Sequence, residues 1–152
     1  MSMIDRTFDM ELVREIITHP KIYDHVSDDF SPAPEDFIPI DPDSVYYLTP
    51  IHNGTVMGVF FVHSHNGICY EVHTCILPEY HGALALKAAK DLIKWVFEET
   101  PCMKLITNVP SFNPLAYRFA LKAGMVKEGV NTKSFQKNGV IYDQTVLGIV
   151  KE

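Results

Sequence analysis

The chain has 152 residues, 47% of them hydrophobic and 21% charged, which is enough apolar mass for one core without staples. Its formal charge of −6, with thirteen scattered lysines and arginines, repels phosphate backbones, so nucleic acid is excluded as a partner and a cationic or amine-bearing one fits better. The three cysteines, Cys69, Cys75 and Cys102, form neither a complete set of pairs nor a C-x-x-C, which argues against a disulfide framework and a cysteine zinc site and for a reducing, cytoplasmic setting. The opening MSMIDRTFDMELV lacks the basic start and apolar run of a secretory leader, and stretches such as residues 56–62 are too short to span a bilayer, so no membrane partner is expected.

In chain order, Leu12, Val13, Ile16 and Ile17 recur at helical spacing and predict a helix over residues 10–18, with Asp9 as N-cap. Residues 31–42, SPAPEDFIPIDP, must be irregular, because each proline blocks helix at its own and the preceding position. Three Asn-Gly pairs then mark hairpins, since a type I′ turn needs positive φ at both central residues. Asn53-Gly54 and Asn66-Gly67 define an antiparallel meander over 45–51, 55–63 and 68–77, and Asn138-Gly139 joins strands over 126–135 and 140–150. Between them, Leu84, Ala88, Leu92, Trp95 and Val96 predict a helix over 83–98 that Thr100-Pro101 ends, followed by a short strand over 103–109. Asn113-Pro114 opens a last helix as N-cap and first residue, and Gly124 closes it. A strand, a long helix and another strand require a parallel crossover. The expected fold class is therefore α/β with a mixed, α+β-like sheet, largely antiparallel with one parallel β-α-β crossover, in a single domain over residues 1–152.

A two-residue turn at Asn66-Gly67 would set His65 opposite Ile68 and Ser64 opposite Cys69. Phe60, Val62, Cys69, Glu71, His73 and Cys75 would then share one face, and Phe61, His63, His65, Tyr70 and Val72 the other. On that register His63 and His65 point away from His73, which excludes a three-histidine metal site, and no metal is expected. The two then read as polar residues near a hairpin tip. Glu71 is either a solvated or salt-bridged strand residue or a functional one, and His73 either a hydrogen-bonded core histidine or a catalytic one. Cys75 lies about 7 Å along the strand from His73, too far for a thiol–imidazole pair, and reads as a small buried apolar residue.

Three segments resemble the GNAT superfamily of acyl-CoA N-acyltransferases, particularly its ribosomal-protein N-acetyltransferase branch. EVHTCILPEYHG (residues 71–82) looks like that branch's strand and "PEYxG" entry into the pyrophosphate loop, and Asn113-Pro-Leu-Ala116 with Gly124-Met125 resembles its "N-x-x-[AS] … G-F" helix. The Asn138-Gly139 hairpin stands in the place of the family's last two strands. The segment THPKIYDHVSDD also looks like small GNAT proteins of tailed phages. The resemblance implies the GNAT fold with a splayed strand pair, parting after Cys75, and acetyl-CoA as acyl donor. It implies that Cys75, Ile76 and Leu77 supply the pantetheine edge, and that His81, Gly82, Ala83, Leu84 and Ala85 cradle the pyrophosphate at a helix N-terminus. Asn113 and Ala116 would add contacts to the donor, Glu71 would relay a proton through water, and His73 would orient the acceptor. The chain departs from the family's [RQ]-x-x-G-x-[GA] loop: it has no second glycine, aligns with one residue missing, and carries His81 for Arg or Gln. Ala120 stands where many members carry a tyrosine general acid. Two readings follow from the resemblance. One is an acetyl-CoA-dependent N-acetyltransferase acting on a primary amine of a protein or small molecule. The alternative is a catalytically degenerate phage protein with a binding or head-assembly role, partnered by a second copy or a phage particle.

Overall fold

The computed structural model describes residues 2–152. Strand β1 (Ser2–Arg6) leads into helices α1 (Met10–Ile17) and α2 (Pro20–Val26), then an irregular segment. Strands β2 (Tyr46–His52), β3 (Thr55–Val56), β4 (Gly58–Ser64) and β5 (Cys69–Ile76) follow, then helix α3 (Ala83–Glu99), strand β6 (Lys104–Pro110) and helix α4 (Pro114–Lys122). The long hairpin of β7 (Val126–Lys137) and β8 (Val140–Val150) ends the fold. Among the described residues eight strands form one sheet in the order β1-β2-β4-β5-β6-β8-β7, with β3 folded back on β2, and only β5 and β6 pair in parallel.

Two apolar clusters hold helices to opposite faces of this sheet. Val13, Ile16, Ile17, Ile22 and Tyr23 from α1 and α2 bury against Tyr47, Val59 and Cys75. Ala85, Ala88, Leu92 and Val96 of α3, with Ala120 of α4, bury against Leu48, Phe60, Val62, Val72 and Leu105. The alternation of Val59 and Phe60 between the two clusters is the two-residue period of a central strand covered on both sides.

Local chemistry explains most boundaries. The Asp9 side chain accepts from the Leu12 amide at 3.1 Å, a cap worth about 1 kcal/mol. Asn113 does the same for Ala116 at 3.1 Å, and Pro114 fills the first helical position. Asn53 and Asn138 hold φ of 50° and 53°, and Gly54 and Gly139 77° and 76°, the backbone a type I′ turn demands. Residues 31–42 are irregular apart from a single 3₁₀ turn, and arginines tie that stretch down. Arg14 donates to the carbonyls of Pro34, Glu35 and Phe37, while Arg6 donates to Pro42 and Val45 and stacks on Tyr46.

Three features differ from the expected elements. β1 adds an edge strand from a segment too short for periodicity to reveal. α2 starts at Pro20, with His19 accepting from the Lys21 amide. The strand over 55–63 breaks at Met57, whose backbone bonds Pro50 and Leu77 instead. Gly58 then passes so near β5 that a Cβ there would lie 2.2 Å from the Cys75 carbonyl oxygen, which only glycine permits.

The segment after α2 is pinned to the tip of the last hairpin. The Asp29 carboxylate accepts from the amides of Asn138 and Gly139 at 2.7 and 2.9 Å and from Gln136 at 3.2 Å, and Lys137 donates to the Ser27 carbonyl at 2.8 Å. The Gly139 bond chiefly holds the Asp29 pKa below 3.8, with Asn138, Gln136 and Lys137 adding to it against some desolvation. A depressed folded pKa contributes stability above the unfolded value and loses it as pH falls through the folded one. The pin is thus fully present above the ordinary carboxylate value and weakens as pH falls through the lower folded one. In an NMR titration the Asn138 and Gly139 amide resonances are expected to move with a midpoint below 3.8, and D29N to abolish that movement; amides that stay still in the native chain would refute the pin.

Candidate active site

The site grows from the turn between β4 and β5. That turn is not a two-residue type I′ turn: neither Asn66 nor Gly67 is among the positive-φ residues. The His65 amide instead donates to the Cys69 carbonyl at 2.8 Å, closing a loop over residues 66–68. The Asn66 side-chain oxygen accepts from the Ile68 and Cys69 amides at 3.0 and 2.9 Å, an Asx turn that makes positive φ unnecessary. One extra loop residue shifts the register by one, so His63 lies opposite Glu71 and Phe61 opposite His73. Every face assignment built on the two-residue turn is corrected accordingly. Phe61, His63, Glu71, His73 and Cys75 share the α1/α2 face, while Phe60, Val62, Tyr70 and Val72 face α3. The geometric exclusion of a multi-histidine site falls with the register that produced it.

On that face three imidazoles converge on one buried carboxyl. His65 Nε2 lies 2.8 Å from Glu71 Oε1, His73 Nε2 lies 3.4 Å from Oε2, and His63 Nε2 lies 3.8 Å from Oε1 and 3.1 Å from His73 Nε2. Burial pushes the Glu71 pKa up, but His73, hydrogen bonds from His65 and Asn108, and His63 outweigh it and leave it below the usual value. Burial lowers the pKa values of both His63 and His73, against the opposing pull of Glu71. At neutral pH this is an ionised carboxylate beside the neutral imidazoles of His63 and His73.

Immediately beyond Glu71 the sheet opens. The parallel ladder pairs Cys69, Tyr70 and Glu71 with Lys104, Leu105 and Ile106, then stops. The strands therefore part after Glu71 and not after Cys75 as expected. Thr107 sits in the crotch and donates to the Val72 carbonyl at 3.2 Å. A slot of about 380 Å³ passes between the strands. Glu71, His73, His25 and Asp28 line it toward one face, and Leu92, Ile93, Phe119 and Ala120 toward the other.

Backbone direction along β5 follows from two bonds. His65 N–H to Cys69 O and Leu77 N–H to Met57 O turn the odd-numbered residues toward β4, so alternation turns Val72, Thr74 and Ile76 toward the slot. Of the trio assigned to the pantetheine edge, Ile76 alone faces the slot, and Cys75 and Leu77 are turned to β4. His81 reaches back to the Ile76 carbonyl at 3.0 Å. Gly82, at φ 98°, precedes α3 without a side-chain cap. The first amide of α3 with an intrahelical partner is that of Leu86, which leaves those of Ala83, Leu84 and Ala85 as an open first turn. Leu84 packs against the core and does not line the slot. Asn113 and Ala116 line the slot from α4.

Several lining residues were not singled out from the sequence. His25 and Asp28 arrive through α2, for which His19-Pro20 was the available signal, and Phe135 and Gln144 through the last hairpin. Asn108 meets Glu71 only through the parallel pairing of β5 and β6.

The family profile described as "Protein of unknown function (DUF2824)" matches residues 10–146. The chain belongs to this family. No curated protein matches its sequence. Among solved structures, the DUF2824 chain is similar to a spermidine N-acetyltransferase from Vibrio cholerae in complex with CoA and spermine, at TM-score 0.78 and 16% identity over 98% of this chain and 95% of that one. It is also similar to a ribosomal-protein-S5-alanine acetyltransferase from Vibrio fischeri, at TM-score 0.76 and 14% identity over 99% and 93%. A GNAT-family acetyltransferase from Bacillus anthracis follows at TM-score 0.71 and 20% identity over 98% and 94%. The DUF2824 chain therefore has the GNAT acetyltransferase fold over nearly its whole length.

The thiols stand apart from this chemistry. Cys75 is fully buried and burial pushes its pKa to about 12, burial also raises that of Cys102, and Cys69 alone is half-exposed. Iodoacetamide is expected to alkylate only Cys69 in the folded DUF2824 chain, as read by peptide mass spectrometry; labelling of Cys75 before unfolding would contradict this burial.

Proposed function

We propose that this chain is an N-acetyltransferase that moves an acyl group from acetyl-CoA to a primary amine of a small molecule or protein. One observation carries the reading: where β5 leaves β6, a slot crosses the sheet with the ionised, hydrogen-bonded Glu71 on its wall. The GNAT fold supports it, because the similar spermidine N-acetyltransferase from Vibrio cholerae holds CoA and spermine.

The residues present fit an acyl-CoA. The slot-facing backbone at Thr74 offers polar partners for pantetheine amides, and the uncapped first turn of α3 offers amides to a pyrophosphate. A Cβ at Gly82 would meet nothing within 4 Å, so the approach to that turn is open. The bound donor supplies an acyl group activated as a thioester. The chain supplies the acid–base and electrostatic part. An amine arrives protonated and must lose that proton before it can attack, and Glu71 accepts it, directly or through one water. His73 flanks the same carboxylate and orients the acceptor. Free amides on the β5 edge stabilise the oxyanion that forms as the amine adds to the carbonyl. Asp28 and Glu71 give the acceptor side a negative lining suited to a cation.

Titration calorimetry with acetyl-CoA is expected to show saturable binding. E71Q should keep that binding while turnover of an amine acceptor falls by about 10²–10⁴-fold. No heat at millimolar acetyl-CoA would end the transferase reading. A second reading, a domain that binds without catalysing, is favoured by the shortened loop before Ala83 and by Ala120 lining the slot where a proton donor would serve. CoA retained through purification, seen by native mass spectrometry, would count against it.

A further inference from the structure

The cluster on β4 and β5 contains more donor atoms than proton relay from one amine requires. His63, His65 and Glu71 place one ligand atom each within 4.8 Å of one another, and His73 Nε2 lies 3.1 Å from His63 Nε2 and 3.4 Å from Glu71 Oε2. Four donors bound to one tetrahedral ion at zinc–nitrogen distances stand about 3.3 Å apart. His65 and His63 stand 2.8 and 3.8 Å from Glu71 Oε1, on either side of that value, while His73, which approaches Oε2 instead, stands outside the group of three.

We propose that His63, His65 and Glu71 form a three-ligand binding site for a first-row divalent transition-metal ion of the zinc class, with water in the fourth position and His73 beside it. Two imidazoles and one carboxylate suit zinc, cobalt, nickel or copper, and not calcium or magnesium, which take all-oxygen shells. The ligands stand on two adjacent strands of the sheet, where the pleat brings alternate side chains to one face. Their rings are held in a stack: His63 and His73 lie 5.2 Å apart at 15°, and Phe61 lies against both at 5.3 and 5.4 Å. Asn108 supplies the outer hydrogen bond to Glu71 that orients a ligating carboxylate. The side chains of His65 and His73 are each 44% exposed, which leaves an entry path from solvent.

An ion held here occupies the carboxylate that the transferase reading uses to accept a proton, so the two uses exclude each other. That consequence rests on the transferase reading; the site itself does not.

The test uses the full chain without a histidine tag, treated with chelator and titrated with Co²⁺. One equivalent per chain is expected to produce the intense visible bands of four-coordinate cobalt, and Zn²⁺ to bleach them. H65A, at an exposed hairpin tip, and H63A should each weaken Co²⁺ binding at least about tenfold with an unchanged circular dichroism spectrum. H52A, outside the cluster, should bind like the unaltered chain. Absence of a saturable band, or binding undiminished in both H63A and H65A, would overturn the site and leave a hydrogen-bonded imidazole–carboxylate network. Acetyl-CoA calorimetry on the metal-free chain is read separately, so either proposal can fail while the other stands.

Discussion

Between His65 and Cys69 the chain turns on one side chain, with Asn66 accepting the amides of Ile68 and Cys69. That choice adds a residue to the loop and sets β4 against β5 with His63 opposite Glu71. Since side chains alternate with period two, the opposite choice would send His63 to the other side of the sheet from Glu71. The same loop also anchors the neighbouring strand, because the Ile68 carbonyl accepts from the amides of Met103 and Lys104 at 2.8 and 3.0 Å. The ladder that begins there lasts three pairs and releases the strands beside Glu71.

Parting two central strands leaves backbone polar groups without ladder partners, which a buried sheet tolerates only where water, side chains or a ligand take their place. Side chains meet part of that need: Thr107 satisfies the Val72 carbonyl and His81 the Ile76 carbonyl. The remaining slot edge lies between them, at Thr74, where the cavity runs. Helices on both faces keep the opening from collapsing, α3 and α4 by their core contacts and α2 by the Asp29 pin to the last hairpin.

The electrostatics follow from the same crowding. Glu71 is 7% exposed, and such burial alone would favour its protonated form. Hydrogen bonds from His65 and Asn108 and the adjoining imidazoles reverse that preference, while burial keeps His63 and His73 neutral. The result is a carboxylate that carries its charge at neutral pH beside the neutral imidazoles of His63 and His73. The shortened loop before α3 does not close the site, because Leu84 packs into the core and the first turn of the helix stays uncapped.

The elements whose signals are local were legible in the chain alone. Asp9, Asn113-Pro114 and Gly124 mark helix ends through hydrogen bonds made within a few residues, and Asn53-Gly54 and Asn138-Gly139 mark turns through their own φ angles. The parallel crossover and the mixed sheet follow from element order, whereas Glu71 and His73 were candidates through the resemblance of residues 71–82 to a family segment. Asn66-Gly67 marked the hairpin but not its register, because the same dipeptide can turn the chain through backbone torsion or through its side chain. Tertiary structure decided that, and with it the gathering of His63 and His65 onto Glu71. Where β5 leaves β6 was likewise a matter of long-range pairing, with its endpoint fixed by Thr107, thirty-five residues from the carbonyl it caps. Local chemistry thus determined the pieces, whereas register and splay depended on contacts between segments far apart in the chain.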